Sequence, residues 1–244
     1  MLLRARQGGD AADTQAAQHL LQNAEDAYRV QASVGAELEP GAAMARHWKS
    51  GGPGRDKTLT HAPLPSAGVW PSGHDASAHP FRLRLIEAEV ALRLAHEVTP
   101  EQAAGLTPAD AAGLVDAMCV SIEIVDSRWQ QPMEAPPLLK LADLQSHGAL
   151  VLGAWRPFEA RDWSAQTCVV RIGNAEPKSF RGTHSLQDPT WLLPTFLRHV
   201  TRLGTTAAKG TVVTCGTWCG MLPAAKGDRV NVAFDGIGEA SVQL

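Results

Sequence analysis

Several things are scarce in this sequence, and each scarcity removes a class of protein. Cysteine occurs four times in 244 residues. Cys119, Cys168, Cys215 and Cys219 form no C-x-x-C pair and have no histidine at zinc spacing, so neither a disulfide framework nor a structural zinc site organises the chain. Reduced thiols of this kind fit a cytoplasmic protein. The formal charge is only −3, and the Lys and Arg residues are scattered. That leaves no basic footprint for nucleic acid and no polybasic stripe for a membrane surface. No stretch approaches the roughly 20 apolar residues needed to span a bilayer. The opening MLLRARQGGDAAD also lacks the apolar core and cleavage site of a secretory leader.

What remains is an ordinary globular composition, 44% apolar, at a length that suits one large domain. The apolar spacing predicts a first helix over 13–31, closed by Gly35 and Pro40-Gly41. From Trp48 to Pro80 the chain is rich in Gly, Pro, Ser and His without a period, as expected of an active-site loop. Phe81 to Leu94 reads as a long strand after Pro80. Thr107-Pro108-Ala109-Asp110 is a capping signal for a helix to about Met118, with a short strand at Val120–Val125. Asp188-Pro189 opens a helix through Leu203, and three strands follow at 210–215, 229–234 and 239–244. Asp235-Gly236-Ile237-Gly238 is a hairpin signal between the last two. The expected class is α+β. Residues 1–80 supply a helical region and loop and 81–244 a β-rich catalytic region, together one domain.

The most informative residues are Glu87-Ala88-Glu89. On a strand, side chains two apart share a face, so both carboxylates project together beside Leu85, Ile86, Val90 and Leu92. Like charges among apolar neighbours need neutralising, and a hard divalent cation does that through oxygen ligands. Glu123 stands alone between Ile122 and Ile124 in a second strand and supplies a third carboxylate. A Glu-x-Glu pair is also what a solvated edge strand presents, and the spacing leaves both readings open.

Ile86-Glu87-Ala88-Glu89-Val90-Ala91 and Ile122-Glu123-Ile124-Val125-Asp126-Ser127-Arg128 resemble the two metal-binding strands of the fumarylacetoacetate hydrolase superfamily, in its 2-keto-4-pentenoate hydratase / 4-oxalocrotonate decarboxylase branch. Ala24 to Gln31, His47-Trp48-Lys49-Ser50-Gly51-Gly52, Ala142-Asp143 through Val151-Leu152-Gly153, and Lys226-Gly227-Asp228 resemble further segments of that branch, in order. The likeness covers about residues 20 to 244. It implies a mixed β-roll or sandwich with flanking helices, usually in homo-oligomers. It also implies Mg²⁺ or Mn²⁺ on Glu87, Glu89 and Glu123, and a small-molecule 2-keto acid as substrate. Lys49 maps to the active-site lysine, with a pKa drawn toward neutrality by apolar walls. Asp143 is implied as a catalytic partner that orients water or holds Lys49, and Thr214 and Trp218 as substrate contacts. The segment 51–80 is expected to close as a lid.

Two departures stand out: Leu144 replaces the amide of the family's Asp-Asn pair, and Thr214 to Gly220 carries an added indole at Trp218. The reaction the resemblance implies is hydration of a 2-hydroxy-2,4-dienoate to a 4-hydroxy-2-keto acid, in aromatic compound breakdown. The alternatives are decarboxylation of a 4-oxalocrotonate-type acid, C–C hydrolysis, or a binding homologue without turnover.

Overall fold

The computed structural model describes residues 1–42 and 44–244. The chain opens with α1 (Leu2–Arg6), α2 (Thr14–Ala17) and α3 (Ala24–Leu38). The single helix expected over 13–31 is therefore two. Asn23 accepts from the Asp26 backbone N–H, and the Asp26 carboxylate accepts from the Asn23 N–H, a capping box that starts a new helix where periodicity alone sees continuity. α3 then runs through Gly35 and stops just ahead of Pro40.

Next come β1 (His47–Gly51), β2 (Thr60–Leu64), β3 (Val69–Pro71), β4 (His74–Asp75) and β5 (Leu85–Leu94). Four short strands thus occupy parts of the loop expected over 48–80 and the lid expected over 51–80. The larger sheet runs β2-β1, a late strand, β5, two further strands, then β3. β2, which contains Pro63, and β3, which contains Pro71, are its two edges, where a missing backbone donor costs no internal ladder bond. That placement is why proline-rich sequence still forms strand.

After α4 (Pro100–Gly105) comes β6 (Val115–Val125). Only a short 3₁₀ turn, Pro108–Leu114, stands where a helix to Met118 was expected. The residues beyond it pair with β5 from Leu94↔Val115 down to Leu85↔Val125, and this ladder overrides the capping signal. α5 (Pro137–Ala142), β7 (His147–Leu152), β8 (Arg156–Pro157), β9 (Thr167–Ile172), β10 (Lys178–Arg181), α6 (Leu193–Thr201) and β11 (Val212–Thr214) follow. The order across the sheet is β2-β1-β11-β5-β6-β7-β3. The chain ends with β12 (Leu222–Pro223), β13 (Arg229–Phe234) and β14 (Gly238–Gln243). The hairpin expected at 235–238 joins β13 to β14, with Gly236 at φ +66°. A second sheet runs β10-β9-β13-β14-β4.

The main core lies between the sheets. Ile86, Ala88, Val90 and Leu92 of β5 and Met118, Val120, Ile122 and Ile124 of β6 share it with Val230, Val232 and Phe234 of β13. All are buried, each large side chain contributing roughly 1.5–3 kcal/mol. With one face of β5 and β6 spent on this core, period-2 alternation sends Glu87, Glu89, Ser121 and Glu123 to the other face. Among the described residues, no helix is long and apolar enough to cross a membrane.

Candidate metal centre and its cleft

Register brings the acids together. Glu87 pairs directly with Glu123, and Glu89 with Ser121, so three carboxylates occupy one patch across two central strands. One ligand oxygen from each lies within 4.8 Å of the others. Like charges opposed across a ladder are destabilising, so the patch is costly unless something balances it. Lys49 does part of this. β1 pairs in parallel with β11, and Lys49 reaches over to donate from Nζ to Glu123 Oε1 at 2.7 Å.

Each carboxylate is held differently. Thr214 Oγ1 and the Gly216 backbone N–H, the latter at 3.0 Å, donate to Glu89 Oε2. Ser121 Oγ lies 2.8 Å from the Thr214 hydroxyl and steadies it. His147 Nδ1 donates to Glu123 Oε1 at 3.3 Å, because an ionised carboxylate only accepts. Burial pushes Glu87 up to about 8; Lys49 opposes this, while Glu89 and Glu123 add to it. Burial, reinforced by Glu123, lifts Glu89 to about 7 against Lys49 and the Thr214 and Gly216 donors. Glu123 is buried as deeply, yet Lys49 and His147 hold it below the usual range.

Burial alone would lower Lys49, as expected from the sequence, but Glu123, Glu87 and Glu89 outweigh it and the ammonium is stabilised. Set against three carboxylates, Lys49 is a firm cation rather than a near-neutral amine.

This donor set fits a hard divalent cation. It is all carboxylate oxygen, and Glu123 Oε2 is buried without a hydrogen-bond partner. Two of the three groups resist ionisation unless positive charge joins them. Thr214→Val removes a hydroxyl that favours the ionised form of Glu89, and is expected to weaken Mn²⁺ binding by about 10–100-fold in isothermal titration.

A cleft of about 460 Å³ opens onto the centre, with Lys49, Glu87, Thr60, Ser127 and Gln145 along its polar side. A larger hollow of about 640 Å³ lies between α1, α3 and Trp129, and none of the three glutamates lines it. Gln145 was not singled out from the sequence. It sits in a run of three left-handed residues, Leu144, Gln145 and Ser146, at φ +51° to +57°. Such backbone is costly for residues with a Cβ. It directs the Gln145 carbonyl toward Lys49 Nζ at 3.4 Å and the side-chain amide to Thr60. The altered residue after Asp143 was the available signal, but a left-handed turn has no periodicity to detect.

Three of the residues expected at the site, Asp143, Trp218 and Thr214, do not line the cleft. Asp143 is fully buried and does not reach Lys49. It binds Arg128 (Nε to Oδ1, 2.8 Å) and Arg6 (Nη2 to Oδ1, 2.9 Å), while Arg128 Nη2 donates to the His147 carbonyl at 2.8 Å. It therefore supports the turn that carries Gln145 and His147. Trp218, only 1% exposed, packs edge-on against Phe234 at 5.1 Å in the inter-sheet core and does not line the cleft. Its backbone N–H donates to the Ala88 carbonyl at 2.8 Å, bracing β5 between its two glutamates. Thr214, also buried, donates to Glu89 and is not among the residues lining the cleft.

This fold, with acids converging from its two central strands, defines a family: residues 56–244 match the fumarylacetoacetate (FAA) hydrolase C-terminal family, and the chain belongs to it. Among known proteins it is similar to 2-keto-4-pentenoate hydratase 1 of Dechloromonas aromatica (strain RCB), 31% identical over 162 residues, which are 64% of this chain and 58% of that protein. The matched region thus spans less than two thirds of that relative. In solved structures the fold is shared with 4-oxalocrotonate decarboxylase from Pseudomonas putida G7, complexed with magnesium and adipate. The TM-score is 0.84 at 20% identity, covering 99% of this chain and 94% of that one. A 2-hydroxyhepta-2,4-diene-1,7-dioate isomerase from Mycobacterium marinum is more distant, at TM-score 0.61 and 15% identity over 82% of this chain and 74% of that one.

Proposed function

We propose that this chain is a divalent-cation-dependent hydratase that adds water to a 2-hydroxy-2,4-dienoate, yielding a 4-hydroxy-2-keto acid in the breakdown of aromatic compounds. The observation that carries this is the convergence of Glu87, Glu89 and Glu123 with Lys49, of which Glu87 and Lys49 line one cleft. The 31% identity to a hydratase supports the reaction, and a structural neighbour complexed with magnesium and adipate supports the metal. Mg²⁺ is the expected ion, with Mn²⁺ as its substitute.

The three glutamates would hold the ion, which supplies Lewis acidity toward the keto oxygen of a 2-keto acid. Lys49 offsets the charge that the substrate carboxylate adds to an already acidic patch. Its Nζ, bonded to Glu123 while the side chain lines the cleft, would act as a charged proton donor toward substrate carbon. Thr60 and Gln145 supply hydrogen bonds along the same wall. Lys49→Met, which keeps the stem and removes the charge, is expected to lower kcat by about 10²–10⁴-fold.

Product analysis tests the reaction. Incubated with 2-hydroxypenta-2,4-dienoate and Mg²⁺, the protein is expected to yield the hydrated keto acid. Release of CO₂ from 4-oxalocrotonate, with no hydration of the dienoate, would transfer the assignment to a decarboxylase.

A further inference from the structure

The two ends of the cleft differ in kind. At the inner end are Lys49 and Glu87; beyond them the wall is Leu83, Leu85, Leu138 and Leu141, with Met133 and Met221 at the rim. Met133 is 54% and Met221 49% exposed, two of only six large apolar side chains left so open to solvent among the described residues. Both open onto this one cleft. Exposed apolar side chains gathered at a cleft mark a surface that is covered when a ligand is bound. Methionine, unbranched and polarisable, adapts to a hydrocarbon of variable shape.

One further cation lines this wall: Lys140 donates one of its Nζ hydrogens to the Met133 carbonyl at 2.7 Å, which ties it to the rim. A second carboxylate lying along Leu83, Leu138 and Leu141, short of Lys140, would leave water for apolar side chains, a costly transfer.

We propose that the cleft selects 2-keto acids whose far end is an uncharged hydrocarbon, over those ending in a second carboxylate. This rests on the reading of the inner end as a 2-keto acid centre. The head group is read by the carboxylate-held cation and Lys49, and the tail by burial against Leu83, Leu138, Met133 and Met221.

The test is calorimetric binding of three unreactive probes to the Mg²⁺-loaded protein: pyruvate, 2-oxohexanoate and 2-oxoadipate. Pyruvate reports the head alone; the other two are six-carbon acids that differ in the presence of a terminal carboxylate. The expected order is 2-oxohexanoate tightest, with 2-oxoadipate weaker than it by at least about 10-fold. Leu138→Lys, which places a free cation on the wall, is expected to narrow or reverse that ratio. If pyruvate binds and 2-oxoadipate outcompetes 2-oxohexanoate, with the advantage lost in Lys140→Met, Lys140 reads a distal carboxylate and the proposal is overturned. If none of the three binds, the 2-keto acid reading of the centre fails and the tail selectivity goes with it.

Discussion

Glu87→Gln is expected to cost the protein its affinity for Mg²⁺ and Mn²⁺ by more than about 100-fold, beyond what loss of a supporting residue costs, while leaving the fold intact. The reason is the state of Glu87 in the absence of positive charge. Held up to about 8 by burial, it is mostly protonated at neutral pH, and a glutamine of the same shape replaces a neutral acid.

The sign follows from linkage. The folded-state pKa of Glu87 lies above its ordinary 4.5, so between about 4.5 and 8 the folded chain binds a proton that the unfolded chain has released. Stability of the metal-free protein therefore falls as pH rises through that window, and Glu87→Gln removes this part of the loss. A bound cation favours the ionised carboxylates, so its stabilising effect grows as pH rises toward 8. Thermal midpoints from pH 5 to 9, with and without Mg²⁺, check both trends. Wild-type Mn²⁺ affinity in the variant would contradict the ligand assignment.

The second large effect is on stability. Asp143→Ala takes the paired carboxylate from buried Arg6 and one carboxylate from buried Arg128, which keeps Asp126; burial already lowers Arg6 to about 10. Removing one partner of such a network costs about 3–5 kcal/mol. In a chain of this size that lowers the thermal midpoint by on the order of 10 °C. A catalytic Asp143 would give the opposite pattern, with kcat lost and the midpoint unchanged. Calorimetry of Asp143→Ala beside its activity at 10 °C separates the two, and retained stability with abolished turnover would restore the catalytic role.

The centre itself was legible because two strong local signals coincide. Glu87 and Glu89 are two apart on a strand, Glu123 stands alone in an apolar run, and the ladder between β5 and β6 does the rest. Lys49 was legible only through resemblance, since its partner lies 74 residues away and is reached through a parallel pairing that no local pattern encodes. The same limit applies to Trp218 and Asp143. Trp218 breaks the family pattern, but an indole in a Gly- and Thr-rich run gives no sign whether it faces a ligand or a second sheet. Asp143 was given a catalytic role by resemblance alone, and its pairing with Arg6, far away in sequence, is not written in any local pattern. The strands hidden in 48–80 are short and partly edge strands, where Gly and Pro mask β-propensity and pairing alone decides.

The most direct test is turnover of freshly generated 2-hydroxypenta-2,4-dienoate, followed by its ultraviolet absorbance, with protein stripped of metal and then supplied with Mg²⁺. The expected result is no loss of absorbance beyond the spontaneous rate until Mg²⁺ is added, then rapid loss with formation of the hydrated keto acid. Full turnover by the stripped protein, or none after Mg²⁺ is restored, would contradict a hydratase that works through Glu87, Glu89 and Glu123.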